Sequence, residues 1–244
     1  MREEVVYARK DKNDPTIGPV AVMVAMETDV GLVRRYMGVR GRPLCRIMTS
    51  SLYKAKHRNQ SISIVGPMLG APHAVMILEK LIVLGAKKIL FLGWCGSVQE
   101  NVQIADIVVP DRAMIGEGTS GYYALGNVDP RPSKGIVKAI EDSLEACCSV
   151  PFHKGLVWST DAPYRETRQK VLLLQQEEVL GVDMEISALF AAARFRSVEI
   201  GALLVVSDEL GSLDWKPGFS SSKFKKSRKM AAEIVCSTCQ KLHT

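Results

Sequence analysis

Long hydrophobic runs are missing from this chain. In 244 residues no apolar stretch approaches the roughly 18 that a membrane-crossing helix requires. The best candidates are short: Val20 to Met26 ends at Glu27, and Ile89 to Cys95 is interrupted by Gly93. The first residues (Met1, Arg2, Glu3, Glu4) are charged and form no apolar signal-peptide core. A cytoplasmic protein without membrane contact is the expectation. Gly-x-Gly-x-x-Gly opening a helix is absent, and so is the P-loop pattern, which excludes the two commonest phosphate-cradling turns. The six cysteines (Cys45, Cys95, Cys147, Cys148, Cys236, Cys239) contain one Cys-x-x-Cys spacing, Cys236 to Cys239. No second such pair and no His pair at zinc spacing accompanies it, so reduced thiols and no metal site are expected. The sequence assigns no role to His57, His153 or His243; His73 sits in a Gly-Ala-Pro-His turn near the expected site, with no identifiable carboxylate partner, so helix packing is its expected role.

What is present reads as a globular enzyme. Apolar residues at 47% and charged residues at 24% exclude a disordered, collagen-like or coiled-coil chain. The net charge is +6, and much of it lies in Lys223, Lys225, Lys226, Arg228 and Lys229. Only Phe224 interleaves and no nucleic-acid motif accompanies the run, so it reads as a solvated helix face with no nucleic-acid partner. Residues 1–16 read as a charged, flexible lead-in and residues 17–244 as a single domain.

Within that domain strands and helices alternate. Pro19 to Ala25, Ser61 to Val65, Lys88 to Leu92, Ile107 to Pro110, Gly155 to Trp158 and Glu199 to Val206 read as buried strands. Val30 to Tyr36, Ala71 to Leu84, Gly135 to Cys147, Thr167 to Glu178, Glu185 to Phe195 and Phe224 to Leu242 read as helices. Pro72 suits a first helical turn, and Gly85 suits a helix end. This order predicts one α/β domain with helices on both faces of a mixed sheet.

In such sheets ligands bind beyond the carboxyl ends of the strands. Polar or glycine-rich turns stand at those ends: Met26 to Asp29, Gly66 to Gly70, Gly93 to Ser97, Ser159 to Asp161 and Ser207 to Glu209. Three of these turns, and the segment Val182 to Glu185, have two readings each. Gly93-Trp94-Cys95-Gly96 admits a ligand close to the backbone or is a plain tight turn. Asp208 is a general acid or, with Ser207, a helix cap. Asp183 and Glu185 hold a sugar diol, or they complement a helix N-terminus. Glu27 orients water as a base, or it belongs to a helix's first turn.

Taken in order, Ala25-Met-Glu27, Gly70-Ala-Pro72, Gly93-x-Cys-Gly96, Gly118-Thr-Ser120, Ser159-Thr-Asp161, Val182-Asp-Met-Glu185 and Ser207-Asp208 resemble the nucleoside phosphorylase superfamily. That group includes purine nucleoside phosphorylases, uridine phosphorylases and methylthioadenosine/adenosylhomocysteine nucleosidases. The likeness runs from about Val20 to Glu209. It implies a three-layer α/β/α sandwich around a mixed, mostly parallel central sheet, and homo-oligomers built from dimers. It implies cleavage of the bond between a nucleobase and C1′ of ribose, without a cofactor. Glu185 matches the residue that holds the ribose hydroxyls, Met184 the one that covers the sugar face, and Asp208 the acid that protonates a purine. Ser207, Gly93, Trp94, Cys95, Ser159, Asp161 and Tyr164 are further substrate-binding candidates, with Trp158 to Tyr164 expected near the base. Thr119 and Tyr123 are candidates near the ribose.

The acceptor side departs from the phosphorylase pattern. Phe91 stands where phosphorylases carry an Arg, Trp94 where they carry Ser or Thr, and Leu32 near another expected Arg. Arg46 with Thr49 resembles the Arg-x-x-Thr segment that phosphorylases lend to a neighbouring subunit. A dianion in a closed site needs paired, charge-assisted donors. Ala25-Met-Glu27-x-x-Val30 resembles the nucleosidase branch, with Glu27 on the attacking water. The sequence therefore favours hydrolysis slightly, with phosphorolysis, and phosphate as co-substrate, as the alternative. A nucleoside-binding protein without catalysis is a further alternative.

Overall fold

The computed structural model describes residues 4–57, 60–123, 129–147 and 152–242. Cys148, His243 and the side chain of His57 lie outside that description.

The core begins with β1 (Val20–Val24), whose five positions are all buried. Both of its neighbours, β4 (Gln60–Gly66) and β5 (Lys88–Ser97), run parallel to it. A strand covered on both faces has no polar side to show, which is why it reads as a continuous apolar run. Two antiparallel strands, β2 (Cys45–Ile47) and β3 (Ser50–His57), extend the sheet beyond β4. The other half contains β6 (Ile107–Gly116), β7 (Phe152–Thr160), β8 (Gly181–Asp183), β9 (Glu199–Glu209) and β10 (Lys216–Pro217). Their order is β10-β9-β6-β7-β8-β5-β1-β4-β3-β2. Because β5 pairs with both β8 and β9, this half closes on itself and brings three strand ends together.

Helices cover both faces, as expected. On one side lie α2 (Ala71–Leu84) and α5 (Ile186–Phe195), joined through Ile77, Leu81, Leu189 and Phe190. On the other lie α1 (Glu27–Tyr36), α3 (Lys134–Cys147) and α6 (Ser222–Lys241), around Val30, Val33, Ile140, Phe224 and Val235. Between β7 and β8, α4 (Arg168–Gln176) packs Val171 and Leu174 against Trp158. Among the described residues no helix is long and apolar enough to cross a membrane. Residues 4–16 form no helix or strand, and Lys80 of α2 holds this lead-in through Asp14 (2.5 Å) and the Arg9 carbonyl (2.7 Å).

Three local expectations change. The segment Gly93 to Ser97 is not a turn but the second half of β5. Gly93 is there for packing: a Cβ would stand 2.6 Å from the ring of Phe91, two residues earlier on the same strand face. Ser207 and Asp208 do not cap a helix; they continue β9, where Cys95 faces Val206 but Gly96 faces Asp208. Ser207 is the extra residue of a β-bulge, a device that re-aims neighbouring side chains. Finally, β3 alternates buried Tyr53 and Ala55 with exposed Lys54 and Lys56, so no continuous apolar run announces it.

Candidate active site

The ends of β1, β5 and β9 and the start of α5 enclose a cavity of about 520 Å³. Most of its polar groups come from two stations.

The first station is the β8–α5 junction. Asp183 caps α5: its Oδ2 accepts the N–H groups of Glu185 and Ile186, each at 2.8 Å. Its Oδ1 accepts the Ser159 hydroxyl at 2.5 Å, and that hydroxyl oxygen accepts the Ser187 N–H at 2.9 Å. The capping reading therefore holds for Asp183 and leaves Glu185 free to face the cavity. Glu185 is 6% exposed and accepts the Gly70 N–H at 2.7 Å. Gly70 has a φ of +81°, a left-handed conformation that glycine adopts without strain. Burial, then the negative field of Asp183, pushes the Glu185 carboxyl well above the usual carboxylate range. Met184 lines the cavity beside it.

The second station is the β9 bulge. The Ser207 hydroxyl lies 2.6 Å from Asp208 Oδ1 and 3.2 Å from the Cys95 carbonyl, and it donates to one or the other. The Trp215 indole N–H donates to Asp208 Oδ2 at 2.8 Å. Gly96 makes room for this carboxylate, since a Cβ there would stand 3.2 Å from Oδ2 and 2.6 Å from Leu210. Cys95 also lines the cavity, and burial holds its thiol protonated.

Trp94 also lines the cavity. Its indole N–H donates to Asp29 Oδ2 at 2.6 Å, and Arg228 closes on Asp29 Oδ1 from α6 with Nε at 2.7 Å and Nη2 at 2.6 Å. The Arg228 guanidinium lies over the Trp94 ring at 4.9 Å, and Phe224 meets that ring edge-on at 4.9 Å. Burial raises the Asp29 carboxyl, while Arg228 and Trp94 oppose it. Trp94→Phe keeps an aromatic ring but deletes the pyrrole half of the indole, and with it one donor to a buried carboxylate. It should cost about 1–3 kcal/mol of stability, measurable as a lowered denaturation midpoint.

The other sequence candidates fall elsewhere. Glu27 does not line the cavity. The buried residues of α1 are Asp29, Val30 and Val33, a phase that leaves Glu27 exposed and turns Asp29 inward. Thr119 and Tyr123 do not line it either: Glu117 accepts the Thr119 and Ser120 N–H groups, and Tyr123 meets Phe195 edge-on at 5.6 Å. Asp161 accepts the Gly118 N–H at 3.0 Å, and Ser159 is spent on Asp183, so both are supports outside the lining. Gly93 is a packing residue, and Phe91 is fully buried in the core. Tyr164 lines the mouth but is 99% exposed. Arg46 on β2 donates to the Thr49 carbonyl at 3.0 Å, away from the cavity. The Leu69 N–H donates to His73 Nδ1 at 3.3 Å, so Nε2 carries the proton toward the Thr49 hydroxyl at 3.1 Å. Sequence reasoning missed Met68, Leu69, Glu166, Trp215 and Phe219, all in the lining. Trp215 and Phe219 gave one signal, two large aromatics in a stretch holding Gly211, Pro217 and Gly218. Among the described residues no cluster could hold a metal ion.

Comparison with known proteins agrees with this architecture. The profile of the phosphorylase superfamily matches residues 19–241. The chain belongs to that superfamily. It is similar to the DeoD-type purine nucleoside phosphorylase 1 of Shewanella oneidensis, with 30% identity over 65% of this chain and 67% of that one. It is similar to the guanosine phosphorylase of Halorubrum lacusprofundi, with 29% identity over 65% of this chain and 66% of the other, just under two thirds of that relative. Among solved structures, the uridine phosphorylase of Vibrio fischeri shares the fold with a TM-score of 0.82 at 22% identity, covering 96% of this chain and 98% of that one. The purine nucleoside phosphorylase of Toxoplasma gondii, solved with immucillin-H, gives 0.81 at 18% identity over 99% and 98%. The relatives are named phosphorylases, so they do not support the sequence preference for hydrolysis.

Proposed function

We propose that this chain releases the free base from a purine nucleoside and that phosphate takes the sugar. The observation that carries the first part is that Glu185 and Asp208 line one cavity. Two carboxyl groups supplied by different elements, the start of α5 and the end of β9, to one largely apolar space suit a ligand with both a hydroxyl pair and a proton-accepting ring. Glu185 accepts the ribose hydroxyls, and Met184 packs on the sugar. Asp208 gives its proton to the imidazole nitrogen of the purine as the C1′–N9 bond breaks. The bond electrons leave with the base, and a positive, oxocarbenium-like sugar remains. A phosphate oxygen then bonds C1′, giving ribose 1-phosphate; overall, the proton of hydrogenphosphate ends on the base.

The named activities of the relatives support phosphate as acceptor. Among the described residues the cavity lining holds no Lys, Arg or His. The cationic donors for phosphate would thus come from another copy of the chain in a homo-oligomer, with Arg46 as the candidate. The same lack of cations favours a second reading, in which water is the acceptor. Product analysis separates the two. With phosphate removed, base release from guanosine, inosine or adenosine should stop, and with phosphate present ribose 1-phosphate should appear. Free ribose formed at full rate without phosphate would establish hydrolysis instead.

A further inference from the structure

Three arginines converge on a second cleft, and nothing offsets their charge. Arg34, Arg35 and Arg40, with Gly31, Gly38 and Val39, line a space of about 350 Å³ at the far end of α1. Elsewhere half-buried arginines are paired: Arg196 with Glu79 and Glu4, Arg228 with Asp29. Among the described residues Arg34, Arg35 and Arg40 have no carboxylate partner. The sequence shows why. Residues 30–78 hold six Arg and two Lys and no Asp or Glu, a net of +8 against +6 for the whole chain. The acids of α1, Glu27 and Asp29, lie in its first turn, and Asp29 is taken by Trp94 and Arg228.

Basic residues in a last helical turn commonly serve the free carbonyls there. Here backbone donors take them instead. The Met37 N–H binds the Val33 carbonyl at 2.9 Å, Val39 the Arg34 carbonyl at 2.8 Å and Gly38 the Arg35 carbonyl at 3.1 Å. Arg34 is held in place: its Nη2 donates to the Gly41 carbonyl at 3.0 Å, and its guanidinium lies 3.9 Å over the Tyr53 ring. Its Nε is buried and has no partner among the described residues. Arg35 and Arg40 are exposed, and among the described residues neither makes a hydrogen bond. Like charges gathered without a counter-charge repel one another, and an anion in the cleft removes that cost. The cleft shares no residue with the active-site cavity. Met26, before α1, lines that cavity, and Arg34 stands about 12 Å further along the helix axis.

We propose that this cleft is a second anion site and that it binds a diphosphate group, free or carried by a nucleotide. Guanidinium groups pair with phosphoryl oxygens through forked, charge-assisted hydrogen bonds. Three of them exceed the charge of one phosphate, about −2, and two joined phosphoryl groups match it better. The site stands whether or not the cavity cleaves nucleosides.

The test is calorimetric titration with inorganic pyrophosphate and with ADP, without divalent cations. Wild type should show a saturable site that Arg35→Ala/Arg40→Ala weakens by about 30-fold or more. Arg40→Ala alone, outside the helix, should weaken it about tenfold. Lys225→Ala/Lys226→Ala also removes two charges, but from exposed positions beside Phe224, which packs on Trp94 at the cavity end of α6. It should change the affinity by no more than about twofold. Tighter binding of pyrophosphate than of ADP identifies a free diphosphate as the ligand, and the reverse order a nucleotide. Wild type that binds neither overturns the inference. So does pyrophosphate affinity indifferent to the arginine variants or weakened equally by the lysine pair, and so does capture of a long single-stranded oligonucleotide alone.

Discussion

Asp208→Asn is expected to lower kcat by about 10²- to 10⁴-fold while the protein stays folded. The carboxyl accepts from the Ser207 hydroxyl and the Trp215 indole, and Asn retains one acceptor oxygen of similar shape for them. Its amide carries no transferable proton, so the leaving base must depart as an anion. The loss should fall on kcat, because the proton is given up in the transition state rather than on binding. It should also shrink for a nucleoside whose base leaves easily as an anion. A steady-state comparison on an ordinary purine nucleoside and an activated one checks both parts. Equal turnover by wild type and variant would remove Asp208 from the role of acid.

Glu185→Gln is expected to cost about 10²- to 10³-fold in kcat/KM, the loss of charge-assisted bonds to two hydroxyls. A 2′-deoxynucleoside, which has already lost one hydroxyl, should suffer less from the substitution. The pH dependence has a defined sign. Glu185 is pushed upward by burial and by Asp183, so the acid limb of kcat/KM should lie above the pH of an ordinary glutamate and should vanish in the variant. Stability should move the opposite way. Between the ordinary glutamate range and the raised native value, the unfolded chain has lost the proton that the folded chain keeps. Folding stability therefore falls as pH rises through that window. Glutamine carries no such penalty, so the variant should melt higher than wild type at alkaline pH. A lower melting point there would mean that the carboxylate is stabilised by something other than the Gly70 N–H.

The alternation of apolar strands and helices was legible because burial on both faces writes itself as continuous apolar runs, as in β1 and β9. Glu185, Met184 and Asp208 could be placed at strand and helix ends from spacing and resemblance. Glu27 could not be placed correctly, because helix phase decides which carboxylate of α1 points inward, and the buried partners of Asp29 are Trp94 and Arg228, distant in sequence. For the same reason Arg228 was hidden in a basic run whose other members, Lys223, Lys225, Lys226 and Lys229, are exposed. Gly93 and Gly96 look alike in sequence, yet one accommodates a ring of the core and the other a cavity carboxylate. Glu166, Trp215 and Phe219 reach the cavity from irregular segments, which carry no period to read.

The most direct measurement is base release from guanosine, inosine, adenosine and uridine in phosphate buffer. The presence of Glu185 and Asp208 in one cavity predicts free purine from at least one purine nucleoside, with uridine a poorer substrate. No release from any purine nucleoside, or uridine cleaved in preference to all of them, would contradict it.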